Sequence, residues 1–336
     1  MARASPVVTW VLGWPLGEVM KRTHAGLLLV CGLMGGSPAR ACGACGCTLN
    51  SDWSSQGHAV GPGLRFDLRY DYFSQDQLRR GTRSVDRASF GLPAEEEVQE
   101  KTLNRNLTLT LDVSPGPDWG LTVLVPAYDR YHATVAEGDV DPSMSQITGL
   151  GDIRVLGRYQ GFSEEHAFGV QLGLKLPTGG FHQTFGAGAQ AGQPLDRGLQ
   201  MGTGTTDLLI GAYAFGDLTQ TWGVFAQVLV QKPLGEREGF KPGDGLNASG
   251  GVRYTGFRGI TPHLQLNLRA EGRESGPQAD AANSGATLVY LSPGVTLDLG
   301  RALQVYAFAQ VPVAQRVTGL QLEPRWSMSL GLHWSL

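Results

Sequence analysis

Over Pro262–Gly272, PHLQLNLRAEG, Leu264, Leu266, Leu268 and Ala270 alternate with Gln265, Asn267, Arg269 and Glu271. Successive side chains of an extended chain point to opposite faces, so this spacing predicts a strand with one apolar and one strongly polar face. The period recurs along the chain, from Leu64–Phe73 to Arg325–Leu336, in about twelve segments of about ten residues, the length a tilted strand needs to cross a bilayer. Leu64, Phe66, Leu68, Tyr70 and Tyr72 alternate with Arg65, Asp67, Arg69 and Asp71. The last segment sets Trp326, Met328, Leu330, Leu332, Trp334 and Leu336 against Arg325, Ser327, Ser329, Gly331, His333 and Ser335.

The connections carry a second regularity. Short turns such as SPGPD, GFSEEH, GDLTQ, GFRGI and DLGR alternate with longer joints at 74–102, 129–150, 177–205, 232–245, 272–285 and 312–324. Tight turns at one end and long loops at the other, on an even number of strands, are the plan of an outer-membrane barrel. The expected fold is therefore all-β: a transmembrane up-and-down antiparallel β-barrel of about 12 strands, with short periplasmic turns and long extracellular loops. Its apolar faces meet lipid and its polar faces a wet lumen, because a bilayer tolerates a sheet only when closure satisfies every backbone group. The competing plan is a large soluble β-sandwich or a secreted two-domain β protein, whose polar faces would meet bulk water.

Composition supports a turn-rich β chain, since 48 glycines occur without a fixed period. The 27 Lys+Arg and 30 Asp+Glu leave a net charge of −3, which offers no global field for nucleic acid. Met20-Lys21-Arg22, the apolar AGLLLVCGLM and the small residues up to Ala39-Arg40-Ala41 form the charged, apolar and cleavage regions of a Sec signal peptide. Residues 1–41 are thus expected to be an N-terminal extension and signal, with Met20 the true start. Residues 42–62 form a cysteine-containing periplasmic segment and 63–336 the barrel. The expected partners are outer-membrane lipid, a small-molecule solute and the barrel-assembly machinery during insertion, with no nucleic acid.

TGLGDIRVLGRY (148–159), GVQLGLKLPTGG (169–180) and QMGTGTTDLLIGAY (200–213) occur in that order. Together they resemble the outer-membrane transporter family labelled "MetA pathway of phenol degradation". The resemblance implies an outer-membrane barrel that moves small molecules, and it transfers no binding residue. In physical terms the glycines and prolines of these stretches terminate strands, and Asp152 and Asp207 are placed to bond backbone.

No nucleophile elbow, zinc helix, phosphate loop or dinucleotide fingerprint is present. His333-Trp334-Ser335 has the His-x-Ser spelling of an outer-membrane phospholipase barrel, but both residues share the polar face of the last strand. The chain is therefore not expected to be an enzyme, and no cofactor is implied. Cys42, Cys45 and Cys47 admit three readings: a periplasmic disulfide with a spare thiol, a metal site for Cu(I) or Zn(II), and a lipid anchor that lacks a lipobox. Glu95-Glu96-Glu97, His132 and His182 are expected to be exposed loop residues. The polar faces direct Arg65, Arg69, Arg154, Arg158, Lys175, Arg253, His263, Arg269 and Arg325 into the lumen, against Asp67, Asp71, Asp152 and Glu271. Pairing in the neighbourhoods of Arg65–Asp71 and Arg154–Asp152 is expected to neutralise part of this charge. The function these features favour is passive passage of small anionic or aromatic solutes. The alternative is a non-transporting barrel whose cysteine segment binds a metal or a periplasmic partner.

Overall fold

The computed structural model describes Gln56 and residues 61–336, and within them twelve long antiparallel strands close a barrel. They are β1 (Gly63–Arg80), β2 (Val98–Ser114), β3 (Trp119–Val135), β4 in two pieces (Ser143–Leu150 and Arg154–Tyr159), β5 (Phe168–Lys175) and β6 (Asp207–Asp217). Then follow β7 (Trp222–Pro233), β8 (Gly245–Tyr254), β9 (Ile260–Glu271), β10 (Ala286–Asp298), β11 (Leu303–Val317) and β12 (Leu320–Ser335). Both pieces of β4 pair with β3, one along Ala127–Thr134 and the other along Trp119–Leu124, so they form one interrupted stave. Each other strand pairs with its neighbours in sequence, and β12 closes on β1 from Arg65↔Ser335 to Arg80↔Leu320. Closure leaves no unpaired edge, the condition for a sheet in hydrocarbon.

The two faces follow the alternation. On β9, Leu264 and Leu266 are exposed on the outside, whereas His263, Gln265, Asn267 and Arg269 are buried inside. Trp326 and Trp334, 51% and 50% exposed, both face outward on β12. They stand eight positions apart, about 20 Å along the membrane normal at a typical strand tilt, so the two rings mark the interfaces of an apolar band. Trp119 and Trp222 are exposed on the end that bears the short turns, where an aromatic girdle belongs.

The expected long loops are shorter than the sequence suggests. β1 continues to Arg80, β2 begins at Val98, β3 runs to Val135, and β11 and β12 meet at the dipeptide Thr318-Gly319. Outside the bilayer a strand no longer needs a lipid-facing apolar side, so the alternation fades while the hydrogen-bonded ladder persists. Leu78, Ala94, Val98, Val135, Leu320 and Leu322 form a small core over these extensions. His132, expected to be exposed, lies there at 1% exposure and shares a 2.8 Å hydrogen bond with Thr102. His182 is exposed and contacts Glu238 at 2.9 Å.

Aromatic rings fill part of the lumen. Phe73, Tyr213, Tyr290, Tyr306 and Phe308 are buried there with Gln265 and Asn267. Glycines within the strands make room for them: a methyl group at Gly294 would lie 2.1 Å from Phe308 Cδ1. These glycines serve packing as well as turns.

Candidate functional site in the barrel lumen

Open space remains beside the packed aromatics. A cavity of about 320 Å³ on the long-loop side is lined by residues including Arg69, Arg130, Lys175, Gln200, Phe240 and Arg269. A smaller one of about 100 Å³ on the short-turn side includes Arg65, Asp67, Asp112, Gln171 and His333. Leu124, Arg154, Gln227 and Leu229 line both, so the two cavities meet at these four residues.

The segment 176–206 folds over the upper cavity, and its anchorage joins all three family-like stretches. Asp152 accepts hydrogen bonds from Lys175 Nζ at 3.0 Å, from the backbone N–H groups of Gly179 and Thr203 at 3.0 Å each, and from Thr203 Oγ1 at 3.1 Å. Lys175 lies between Asp152 and Asp207, 3.0 Å from each, and all three are buried. A buried ammonium between two carboxylates compensates charges that would each be costly alone. Arg130 donates to Asn104 Oδ1 at 2.7 Å and to the Leu199 carbonyl at 2.6 Å, tying the loop to the wall. Arg197 is stacked between Phe181 and Phe240, 4.3 and 4.8 Å from their ring centres, a cation–π clasp between this loop and 234–244.

Most of the predicted lumen cations face inward and are paired. Arg65 and Arg158 share Asp112, at 2.8 and 2.7 Å, and Arg69 meets Asp71 at 2.9 Å. Arg269 pairs with Glu271. Arg253 donates to the Gln56 carbonyl, and His263 shares a 2.9 Å hydrogen bond with Thr296. The expected neighbourhoods are rearranged: Arg65 takes Asp112 rather than Asp71, and Asp152 takes Lys175 rather than Arg154. Arg325 does not line the lumen. Register shifts between Phe73 and Gln77 turn it outward, where its side chain is 68% exposed and lies 3.4 Å from Asp76.

Arg154 is different. It has no ion-pair or hydrogen-bond partner among the described residues, although it stands directly opposite Lys175 in the β4–β5 ladder. Asp152 and Asp207 contact Lys175 instead, and that set keeps one net negative charge without touching Arg154. At the junction of the cavities there is therefore a guanidinium with no contacting partner among the described residues, beside leucines.

Asp112, Arg130 and the inward leucines were not identified from the alternation, and Asp207, expected to bond backbone, instead accepts from the side chains of Lys175, Thr205 and Gln231. Asp112 continues the polar phase Thr108-Thr110-Asp112 and was legible there. Arg130 was hidden because β3 runs past the end of the apolar band, and Leu124 lies in TVLVPAY, where apolar residues occupy both faces. Cys42, Cys45 and Cys47 lie outside the described residues. Within those residues no group of three or more His, Cys, Asp or Glu is arranged to hold a metal. Asp67, His333 and Ser335 follow one another as in a charge relay, with His333 Nε2 3.2 Å from Ser335 Oγ. Asp67 is 3.8 Å from His333 Nδ1, however, and its other oxygen accepts from Tyr306 at 3.0 Å, so it does not orient the imidazole.

No protein-family model and no curated protein matches the chain. The fold is similar to that of the COG4313 outer membrane channel from Pseudomonas putida F1, with a TM-score of 0.62 and 13% identity over 86% of this chain and 99% of that one. The beta domain of the Bordetella autotransporter BrkA aligns with a TM-score of 0.45 and 13% identity over 82% of this chain and 100% of that one. The translocator domain of NalP from Neisseria meningitidis does so with a TM-score of 0.45 and 8% identity over 96% and 99%.

Proposed function

We propose that this chain is an outer-membrane channel for the passive passage of small anionic solutes, aromatic ones among them. The observation that carries the reading is the junction itself: cavities reaching from the long-loop side and from the short-turn side meet at Arg154, whose guanidinium has no ion-pair or hydrogen-bond partner among the described residues. Arginines and lysines lining a pore favour anions. The outward apolar band and its tryptophans suit an outer-membrane location, and likeness in fold to the Pseudomonas putida channel agrees with it. The three stretches that resemble the transporter family converge on Asp152 and Lys175, which hold the loop over the upper cavity.

The test is reversal potential in a planar bilayer under a salt gradient. The wild-type protein is expected to prefer anions weakly, and Arg154→Gln to lose most of that preference. Neutralising Arg325, which faces outward, should leave selectivity unchanged. A cation-selective wild-type channel would refute the reading.

A further inference from the structure

We infer that the junction is a head-group site for a single carboxylate carried on an apolar body, so that the solutes held longest in the lumen are amphipathic monoanions rather than inorganic or multiply charged anions. This rests on the channel reading above.

The first observation is the count of charges. Arg65 and Arg158 are committed to Asp112, Arg69 to Asp71, Lys175 to Asp152 and Asp207, and Arg269 to Glu271. The Arg130 guanidinium is engaged by an amide and a backbone carbonyl, Arg253 by the Gln56 carbonyl, and Arg197, which also borders the upper cavity, by the Thr203 carbonyl and the rings of Phe181 and Phe240. Arg154 thus offers one cationic group, planar and suited to a bidentate carboxylate. A second carboxylate on the same solute would have to leave water without a partner, at a large desolvation cost.

The second observation is what surrounds the cation. Leu124 lies opposite Arg154 in the β3–β4 ladder, Leu156 follows two residues on along the same face, and Leu229 also borders both cavities. Leucines directed into an aqueous barrel depart from the alternation of lipid-facing and lumen-facing residues, and unlike the fully buried Leu209 and Leu288 these border open space rather than the packed rings. They serve no lipid. Beside an unpaired arginine they supply an apolar wall for the remainder of a solute whose charge Arg154 holds. Gln227 donates to Gln171 Oε1 at 3.0 Å and carries no charge, so Arg154 is the charged donor among the four residues of the junction.

Interruption of chloride current by added carboxylates tests this with the full-length protein in a planar bilayer. Hexanoate is expected to interrupt the current at a concentration about tenfold below that of adipate, which has the same carbon count and a second charge. Arg154→Gln should raise the half-blocking concentration of hexanoate about tenfold, and Arg154→Lys should keep it within about threefold of wild type. Leu229→Asn should weaken block by hexanoate and leave the weak effect of acetate unchanged. Heat-modifiable gel migration establishes that each variant is folded; if Arg154→Gln does not fold, Leu229→Asn with hexanoate against acetate decides. Equal block by adipate and hexanoate, or a Leu229→Asn channel that hexanoate blocks as well as wild type, overturns the inference while anion passage stands. A wild-type protein that passes no chloride removes the channel reading itself.

Discussion

Gly331 on β12 faces Tyr306 on β11 across the lumen wall, and a methyl group at 331 would lie 2.1 Å from Tyr306 Cζ. The ring cannot easily retreat, because its hydroxyl donates to Asp67 Oδ1 at 3.0 Å and Phe308 lies 6.1 Å away, ring centre to ring centre. Gly331→Ala is therefore expected to destabilise the barrel by about 1–3 kcal/mol through overpacking. Gly331→Ala with Tyr306→Ala should recover part of the loss relative to Tyr306→Ala alone. Urea titration of the folded fraction in lipid, read by gel migration, measures both, and additive losses would show that the two sites are independent.

The lipid face makes a different demand. Leu266 is 52% exposed on the outer wall, near the middle of β9, so Leu266→Arg should cost about 2–4 kcal/mol in lipid. The adjacent Asn267 points inward and donates to Ser292 Oγ at 2.8 Å. Asn267→Ala should cost about 1 kcal/mol, the worth of an ordinary hydrogen bond. Folding into liposomes at graded urea concentration compares them, and equal losses at both positions would mean that the faces are misassigned.

Asp152 is the point where loop 176–206 is fixed, so its removal should act on structure and passage together. Asp152→Ala leaves the N–H groups of Gly179 and Thr203 without their acceptor, and Lys175 with Asp207 alone. Breaking such a buried set is expected to cost about 3–5 kcal/mol. Single-channel conductance should rise and become noisier as the loop leaves the upper cavity. Unchanged conductance in a folded variant would show that the loop does not limit passage.

How much of this was legible follows from where lipid constrains the chain. Strands such as β9 and β12 were plain, because hydrocarbon on one side and water on the other force the alternation of Leu264–Glu271 and Trp326–Ser335. Beyond the bilayer that constraint lapses, which is why 129–135, 312–317 and 320–324 read as loops although they are strands. The inward direction of Arg65, Arg69, Arg154, Arg158, Lys175, Arg253, His263 and Arg269 follows from parity alone. Arg325 fails the same rule because the register shift beside Pro324 changes parity locally, and a bulge has no signature in the alternation. The partners of each cation were not legible, since Arg65 and Asp112 meet only through the β1–β2 register. The leucines of the junction were missed because an apolar residue on the lumen side resembles one on the lipid side when both neighbours in sequence are also apolar.

Acidity should grip the long-loop end of the barrel more tightly. Burial, reinforced by the nearby Asp196 carboxylate, pushes Glu97 up from 4.5 to about 7, while the hydrogen bond from Thr134 and the Asp280 carboxylate act more weakly in opposite senses. Glu97 stands just before β2, Asp196 in 176–206, Asp280 in 272–285 and Thr134 on β3, so four separate parts of the chain converge there. Because the folded pKa lies above the unfolded one, the fold favours the protonated acid. The contribution is complete below about 4.5 and is lost as pH rises through about 7. Amide-exchange protection factors, which allow for the intrinsic pH dependence of exchange, should be higher in 176–206 and 272–285 at pH 5 than at pH 8. Glu97→Gln should lose less protection than the wild type between these values, the remainder coming from Asp196, which burial pushes up to about 6. If the wild type and Glu97→Gln lose protection equally between pH 5 and pH 8, the acid that governs these loops is another one.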